Sequence, residues 1–138
     1  MSIAALAMLA PLAAAALILV VRRAPAWLAL LGAGVGAIAT VETLVRVADG
    51  ARFAVSLPGL PDLPLRLVVD PLAALFATVV AVVSFLVLVY AVGYMRGERD
   101  QVRFWAGMSF FTAAMQGVVL AGDWVLLLAC WELIGLAS

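Results

Sequence analysis

The sequence of 138 residues lacks lysine and histidine altogether and contains a single cysteine, Cys130. One cysteine can neither form a disulfide within the chain nor hold a metal ion alone, so we interpret Cys130 as a small packing residue. Charged residues make up only 12% of the chain, against about a quarter in a typical soluble domain. Eight arginines balance eight acidic residues, so the net charge favours no nucleic-acid partner.

The chain is rich in apolar residues. They make up 68% of the chain, and the mean hydropathy is +1.26. A helix needs about 20 apolar residues to span a bilayer, and five apolar runs are visible, over residues 3–21, 27–48, 72–95, 104–121 and 124–138. We therefore predict an all-α membrane protein with four transmembrane helices and an incomplete fifth, and the lipid bilayer as its surroundings.

The first run is predicted to be a retained membrane helix rather than a secretory signal. A signal peptide carries its positive charge before the apolar stretch, whereas Arg22 and Arg23 follow it here. In the second run, Gly32 and Gly36 are spaced so that another helix can approach closely.

Residues 49–70 differ from the helices on either side, which occupy 1–48 and 71–138. Large apolar side chains alternate over residues 52–57 and 63–67, and the intervening Pro-Gly-Leu-Pro-Asp sequence favours a turn at 58–62. Pro64 would confine its strand to an edge. These features predict a short β-hairpin between helices two and three.

Three ionisable groups near helix ends have local explanations. Glu42 and Arg46 are four residues apart on one predicted helix face, which predicts an interfacial ion pair, although a functional acid remains an alternative. Asp123 precedes the fifth run, where its side chain can cap the helix, and it is a second possible ionisable site.

The arginines predict the orientation in the membrane. Five of them lie in the connectors after helices one and three, and three lie on the opposite side. Because basic residues accumulate in cytoplasmic loops, the first group is expected inside, with the N-terminus and the hairpin outside.

The fifth run is short for a membrane helix. Fifteen residues cover about 22 Å at 1.5 Å each, whereas the hydrocarbon core is about 30 Å thick. We therefore expect the sequence to be the front piece of a longer protein.

Glu132 is the one acid inside an apolar run that has no interfacial explanation. It lies nine residues after Asp123, which places it about 13 Å deep, near the membrane midplane. A carboxylate at that depth must be neutral or paired with a cation, and a change between these states would carry a proton. The alternative is a permanently protonated acid that hydrogen-bonds a neighbouring helix. The arginines all map to connectors or interfaces, so a cationic partner would come from outside these residues.

Several short motifs occur in a familiar order, namely Val-Asp-Pro-Leu at 69–72, Tyr-Met-Arg-Gly-Glu at 94–98, Arg-Phe at 103–104 and Trp-Glu-x-x-Gly-Leu-x-Ser at 131–138. Together they resemble the N-terminal part of the chain 5 family (subunit L in bacteria) of proton-pumping NADH:quinone oxidoreductase, complex I. The same superfamily includes Mrp-type cation/proton antiporters and inorganic-carbon transporters.

The resemblance implies an antiporter-like fold over residues 71–138 and a bacterial inner-membrane location, with other membrane subunits as partners. It also implies that Glu132 is the acid whose charge state is coupled to a lysine on a later helix. NADH, FMN, iron–sulfur clusters and quinone would bind to partner subunits, with no cofactor, metal or redox site on this chain. The chain would thus be a subunit of a translocase.

Two other functions are also compatible with the sequence. One is an Mrp-type antiporter or inorganic-carbon transporter subunit with the same fold, and the other is a structural membrane protein without transport. A soluble enzyme is nearly excluded, because no nucleophile–base set, phosphate-binding loop or metal cluster is present.

Overall fold

The computed structural model describes residues 3–57 and 65–138. In that part of the chain the element order is α1 (Ile3–Val21), α2 (Pro25–Ala48), β1 (Phe53–Leu57), β2 (Leu65–Val69), α3 (Pro71–Tyr94), α4 (Gln101–Leu120) and α5 (Trp124–Ala137). The described residues are mostly helical, and the only strands among them form one antiparallel hairpin. The predicted helical class and the hairpin between α2 and α3 are therefore confirmed.

Aspartate caps define where α3 and α5 begin. The Asp70 carboxylate accepts a hydrogen bond from the Ala73 N–H at 2.7 Å, and Pro71 occupies the first helical position, where a missing N–H costs nothing. The Asp123 carboxylate accepts from the Leu126 N–H at 2.8 Å in the same way. The cap at Asp123 agrees with the sequence prediction.

The start of α4 differs from the prediction. Residues 101–103 were expected in a polar connector, but they form the first turn of α4, and the Phe104 N–H donates to the Asp100 carbonyl at 3.1 Å. Polar side chains at a water-facing helix end do not oppose helix formation. The helix therefore begins three residues before the apolar run, which starts at residue 104.

Helices α1 and α2 pack closely through small residues. A Cβ added to Gly32 would lie 3.0 Å from the Ala10 carbonyl oxygen, and one added to Gly36 would lie 3.4 Å from the Ala7 carbonyl oxygen. The predicted use of Gly32 and Gly36 for close helix packing is thus confirmed. Helix α4 contacts each of the other four helices and forms the centre of the bundle.

Three of the described helices, α1, α2 and α3, are long and apolar enough to cross a membrane. Helix α5 is apolar but has only 14 residues, and α4 does not meet the same criterion of length and composition. The buried face of α4 carries polar residues, which lowers its apolar content.

The hairpin connects α2 to α3 and contacts the start of α5. Its register runs from Phe53 opposite Val69 to Leu57 opposite Leu65. Strand β2 continues to Val69, two residues beyond the predicted alternation, while residues 58–64, with the predicted turn at 58–62 and Pro64, lie outside the described residues. Strand β2 also bridges from Leu67 to Ala121, which brings the hairpin and the α4–α5 connector to the same end of the bundle.

Candidate functional site

Glu132 lies in the second half of α5 on a face that the other described elements do not cover. Only Leu126 and Cys130 of this helix are buried, so α5 packs on α4 through a narrow strip. One turn before and after Glu132, Leu128 and Leu136 are 58% and 80% exposed. The glutamate is therefore the single charged side chain within an outward-facing apolar helix surface.

The Glu132 side chain forms no hydrogen bond or ion pair with residues 3–57 or 65–138. Its predicted cationic partner is thus not one of the described residues. The acid could exchange protons or bind a basic side chain only through a group approaching the outer face of α5.

Asp123 fixes the position of the helix that carries Glu132. One carboxylate oxygen accepts from the Leu126 N–H at 2.8 Å, and the other accepts from the Arg66 N–H at 2.7 Å. These two backbone hydrogen bonds, with the Leu126 contribution the larger, hold the pKa of Asp123 below its ordinary value of 3.8. The Gly122 N–H also donates to the Arg66 carbonyl at 2.7 Å. The backbone N–H and the backbone carbonyl of Arg66 in β2 are thus both hydrogen-bonded to the start of α5.

Sequence reasoning identified Asp123 as a helix cap but missed its bond to β2. That bond joins residues 57 positions apart, and no local pattern predicts such a pairing.

Cys130 is buried where α5 meets α4. The thiol lies against Gly117, at a distance where a Cβ on Gly117 would overlap its sulfur. Met8 of α1 approaches the same point. The predicted packing role of Cys130 is consistent with this position, and the contact sets how closely α5 approaches the bundle.

Glu42 and Arg46 form an ion pair across one turn of α2. The two side chains are 47% and 49% exposed, and exposed pairs of this kind contribute about 0.3–0.5 kcal/mol. Because each charge has its partner one turn away, neither needs a further group for compensation.

A buried polar stripe on α4 was not recognised in the sequence. Trp105, Ser109, Thr112 and Gln116 recur at helical spacing and are all nearly or fully buried. The Gln116 amide donates to the Ala77 carbonyl of α3 at 2.9 Å. Within the described residues, the Trp105 indole N–H, the Ser109 hydroxyl and the Gln116 amide oxygen have no hydrogen-bond partner. The spacing of three or four residues was the signal that could have revealed this stripe.

No group of three or more histidine, cysteine, aspartate or glutamate side chains in the described part of the chain could hold a metal ion. The described acids instead lie at separate places: at the ends of helices, in connectors and on the outer face of α5.

Comparison with known proteins identifies relatives of this fold. The model of "NADH-Ubiquinone oxidoreductase (complex I), chain 5 N-terminus" matches residues 58–105. The predicted resemblance to the chain 5 family is confirmed. Two relatives illustrate it: the chloroplastic NAD(P)H-quinone oxidoreductase subunit 5 of Zygnema circumcarinatum is 46% identical over 70 residues, and the F(420)H(2) dehydrogenase subunit L of Methanosarcina mazei is 43% identical over 70 residues.

These alignments cover 51% of this chain and 10% of each relative. The chain thus matches about a tenth of the length of the chain 5 relatives. Glu132 lies outside the segment that the family model matches.

A solved structure shares the fold over nearly the whole chain. It is the structure of the membrane-bound sulfane sulfur reductase (MBS), an archaeal respiratory membrane complex. The superposition gives a TM-score of 0.86 at 20% identity and covers 99% of this chain and 29% of the other. The apolar helices and the chain 5 relatives together support an integral membrane protein.

Proposed function

We propose that this chain is the N-terminal segment of a proton-translocating membrane subunit of a respiratory NADH:quinone oxidoreductase, with Glu132 as its protonatable intramembrane group. The observation that carries the proposal is the position of Glu132 on the uncovered face of an otherwise apolar helix. The similarity to subunit 5 and subunit L relatives supports the same class of complex.

The energetic argument begins with the depth of the carboxyl group. Glu132 lies nine residues after the cap of α5, and a charge near the bilayer centre costs about 3 kcal/mol or more. Protonation removes that cost, and so does a cation on an adjoining helix. A cation that approaches and withdraws would therefore change the proton occupancy of Glu132, which is the elementary step of translocation.

The proposed topology has four membrane-spanning helices and the first part of a fifth, with the N-terminus outside a bacterial inner membrane. Arg22 and Arg103 line one groove at one end of the bundle, whereas the hairpin lies at the other end. The groove end carries five arginines and the hairpin end three, and this difference supports the proposed orientation. NADH, FMN, the iron–sulfur clusters and quinone are assigned to partner subunits in the same complex.

The test is Glu132→Gln in the assembled respiratory complex that contains this sequence. Glu98→Gln is the matched control, because Glu98 is an exposed acid in the α3–α4 connector. Proton uptake by inverted membrane vesicles and NADH oxidation are measured together. Glu132→Gln should lower the number of protons moved per NADH, and Glu98→Gln should leave it unchanged.

Normal pumping by an assembled Glu132→Gln complex would remove this residue from the mechanism. If the complex fails to assemble with Glu132→Gln but assembles with Glu132→Asp, a carboxyl group at position 132 is still required. Loss of assembly with both variants indicates a structural role and contradicts the proposal.

The electron donor is the part of the proposal with a specific competitor. One relative is named for NAD(P)H and another for F(420)H(2), so the same type of membrane subunit occurs with different electron inputs. Vesicles that pump with reduced F420 but not with NADH would favour that second donor. An Mrp-type antiporter or carbon-uptake subunit would instead move ions without either donor, and a structural protein would move none.

A further inference from the structure

A groove between α1, α4 and the end of α5 combines apolar walls with arginines. We name it the arginine groove and define it by Arg22, Arg99, Arg103, Leu12, Leu19 and Phe110. Its volume is about 950 Å³, which leaves room for a headgroup and an acyl chain. It lies at the opposite end of the bundle from the hairpin and from Asp123, which is bonded to β2.

The charge in this groove is positive. Three arginines line it, and Asp100 is the acid beside them. Arg22, Arg99 and Arg103 are exposed, and none forms an ion pair within the described ranges. By contrast, Arg46 at the other end of α2 is paired with Glu42. The groove therefore presents three exposed cationic groups that are free to bind an anion.

The apolar wall continues from these charges along the helices. Leu19 and Leu12 lie one and about three turns before Arg22 on α1, and Phe110 lies two turns after Arg103 on α4. Gly107 lies between them, and a Cβ at this position would meet nothing within 4 Å. An apolar chain could thus lie along the groove directly below the arginines.

We propose that the arginine groove binds one anionic phospholipid, with its phosphate at Arg22, Arg99 and Arg103 and an acyl chain along α1 and α4. Charge complementarity selects this occupant, because basic side chains at the end of membrane helices bind anionic headgroups. An uncharged helix would leave the three arginines unpaired, and a zwitterionic lipid would offset less of their charge. The proposal is independent of any proton transfer at Glu132.

The test measures lipids retained by the 138-residue chain after purification from membranes. The chain is placed in nanodiscs of equal phosphatidylglycerol and phosphatidylcholine, extracted in mild detergent and examined by native mass spectrometry. The protein should retain one phosphatidylglycerol in preference to phosphatidylcholine.

Two variants separate the headgroup site from the acyl groove. Arg22→Gln with Arg103→Gln should lower phosphatidylglycerol retention about 30-fold, because each basic side chain near a membrane surface contributes about fivefold. The matched control, Arg52→Gln with Arg66→Gln, removes the same charge at the hairpin end and should have little effect. Gly107→Trp should also reduce retention by filling the groove without removing charge.

Equal retention of the two lipids, or equal loss in both double variants, would overturn the proposal because the binding would then be general membrane attraction. Unchanged retention in Gly107→Trp would overturn the acyl part of the site. Circular dichroism and gel filtration verify that each variant keeps its helices. If the arginine variant fails to fold, the preference of the unaltered chain for phosphatidylglycerol over phosphatidylcholine still tests the headgroup part. Gly107→Trp tests the acyl part, because it keeps every charge and adds its side chain in open space.

Discussion

Replacing Gly32 with alanine should destabilise the packing of α1 against α2. The new Cβ would lie 2.5 Å from the Ala14 Cβ and 3.0 Å from the Ala10 carbonyl oxygen. Carbon atoms pack best at about 3.5–4.0 Å, so the two helices must separate by about 1 Å to accommodate the methyl group. Overpacking of this kind costs about 1–3 kcal/mol.

Gly34→Ala is a matched control on the same helix. A Cβ at Gly34 would meet Phe85 at 3.6 Å, which is an ordinary van der Waals contact. Both substitutions gain about the same helix propensity, near 1 kcal/mol, so that gain cancels in the comparison. Gly32→Ala should therefore be less stable than Gly34→Ala by about 1–3 kcal/mol.

The free energy of unfolding can be compared by far-ultraviolet circular dichroism in mixed micelles of a mild detergent and increasing dodecyl sulfate. The decisive quantity is the difference between the two variants, because detergent effects common to both cancel. Equal stability of the two, within about 0.5 kcal/mol, would refute the close approach of α1 and α2 at Gly32.

Three further predictions concern α4 and the start of α5. Asp123→Asn should weaken the protection from hydrogen exchange of the two amides that bond this carboxylate. Because the pKa of Asp123 is depressed in the folded protein, the carboxylate stabilises the fold above the ordinary pKa of 3.8, and this effect is lost as the pH falls through the folded pKa. The amide protection of the variant and of the wild type should therefore become equal in acid. A difference in protection that persists unchanged in acid would contradict this account. Gln116→Leu should change the unfolding free energy by less than about 1.5 kcal/mol, because it removes a buried, half-satisfied amide together with its hydrogen bond. Gln116→Ala should lower the unfolding free energy by about 2 kcal/mol or more, because it leaves a cavity. Equal effects of the two variants in the same micelle assay would argue against tight packing around Gln116. Gly117→Ala should displace α5 through overlap with the Cys130 sulfur, and adding Cys130→Ala should recover part of the lost stability, whereas additive losses would show that the two residues do not touch.

The sequence singled out Glu132 as a candidate but did not reveal what surrounds it. Glu132 is conspicuous in the sequence because a lone acid in an apolar run requires an explanation. Whether such a side chain points into the bundle or away from it depends on which strip of α5 contacts α4. Leu126 and Cys130 form that strip, and the short, uniformly apolar helix offers no amphipathic pattern from which to infer it.

The sequence by itself determined the helical class, the hairpin between α2 and α3 and the cap at Asp123. These depend on apolar run length, alternation and local hydrogen bonding, all of which act over a few residues. Tertiary structure alone decided that Asp123 also bonds the backbone of β2 and that Glu132 faces outward. Those features arise from contacts between segments distant in the chain, where packing geometry selects among faces that are chemically alike.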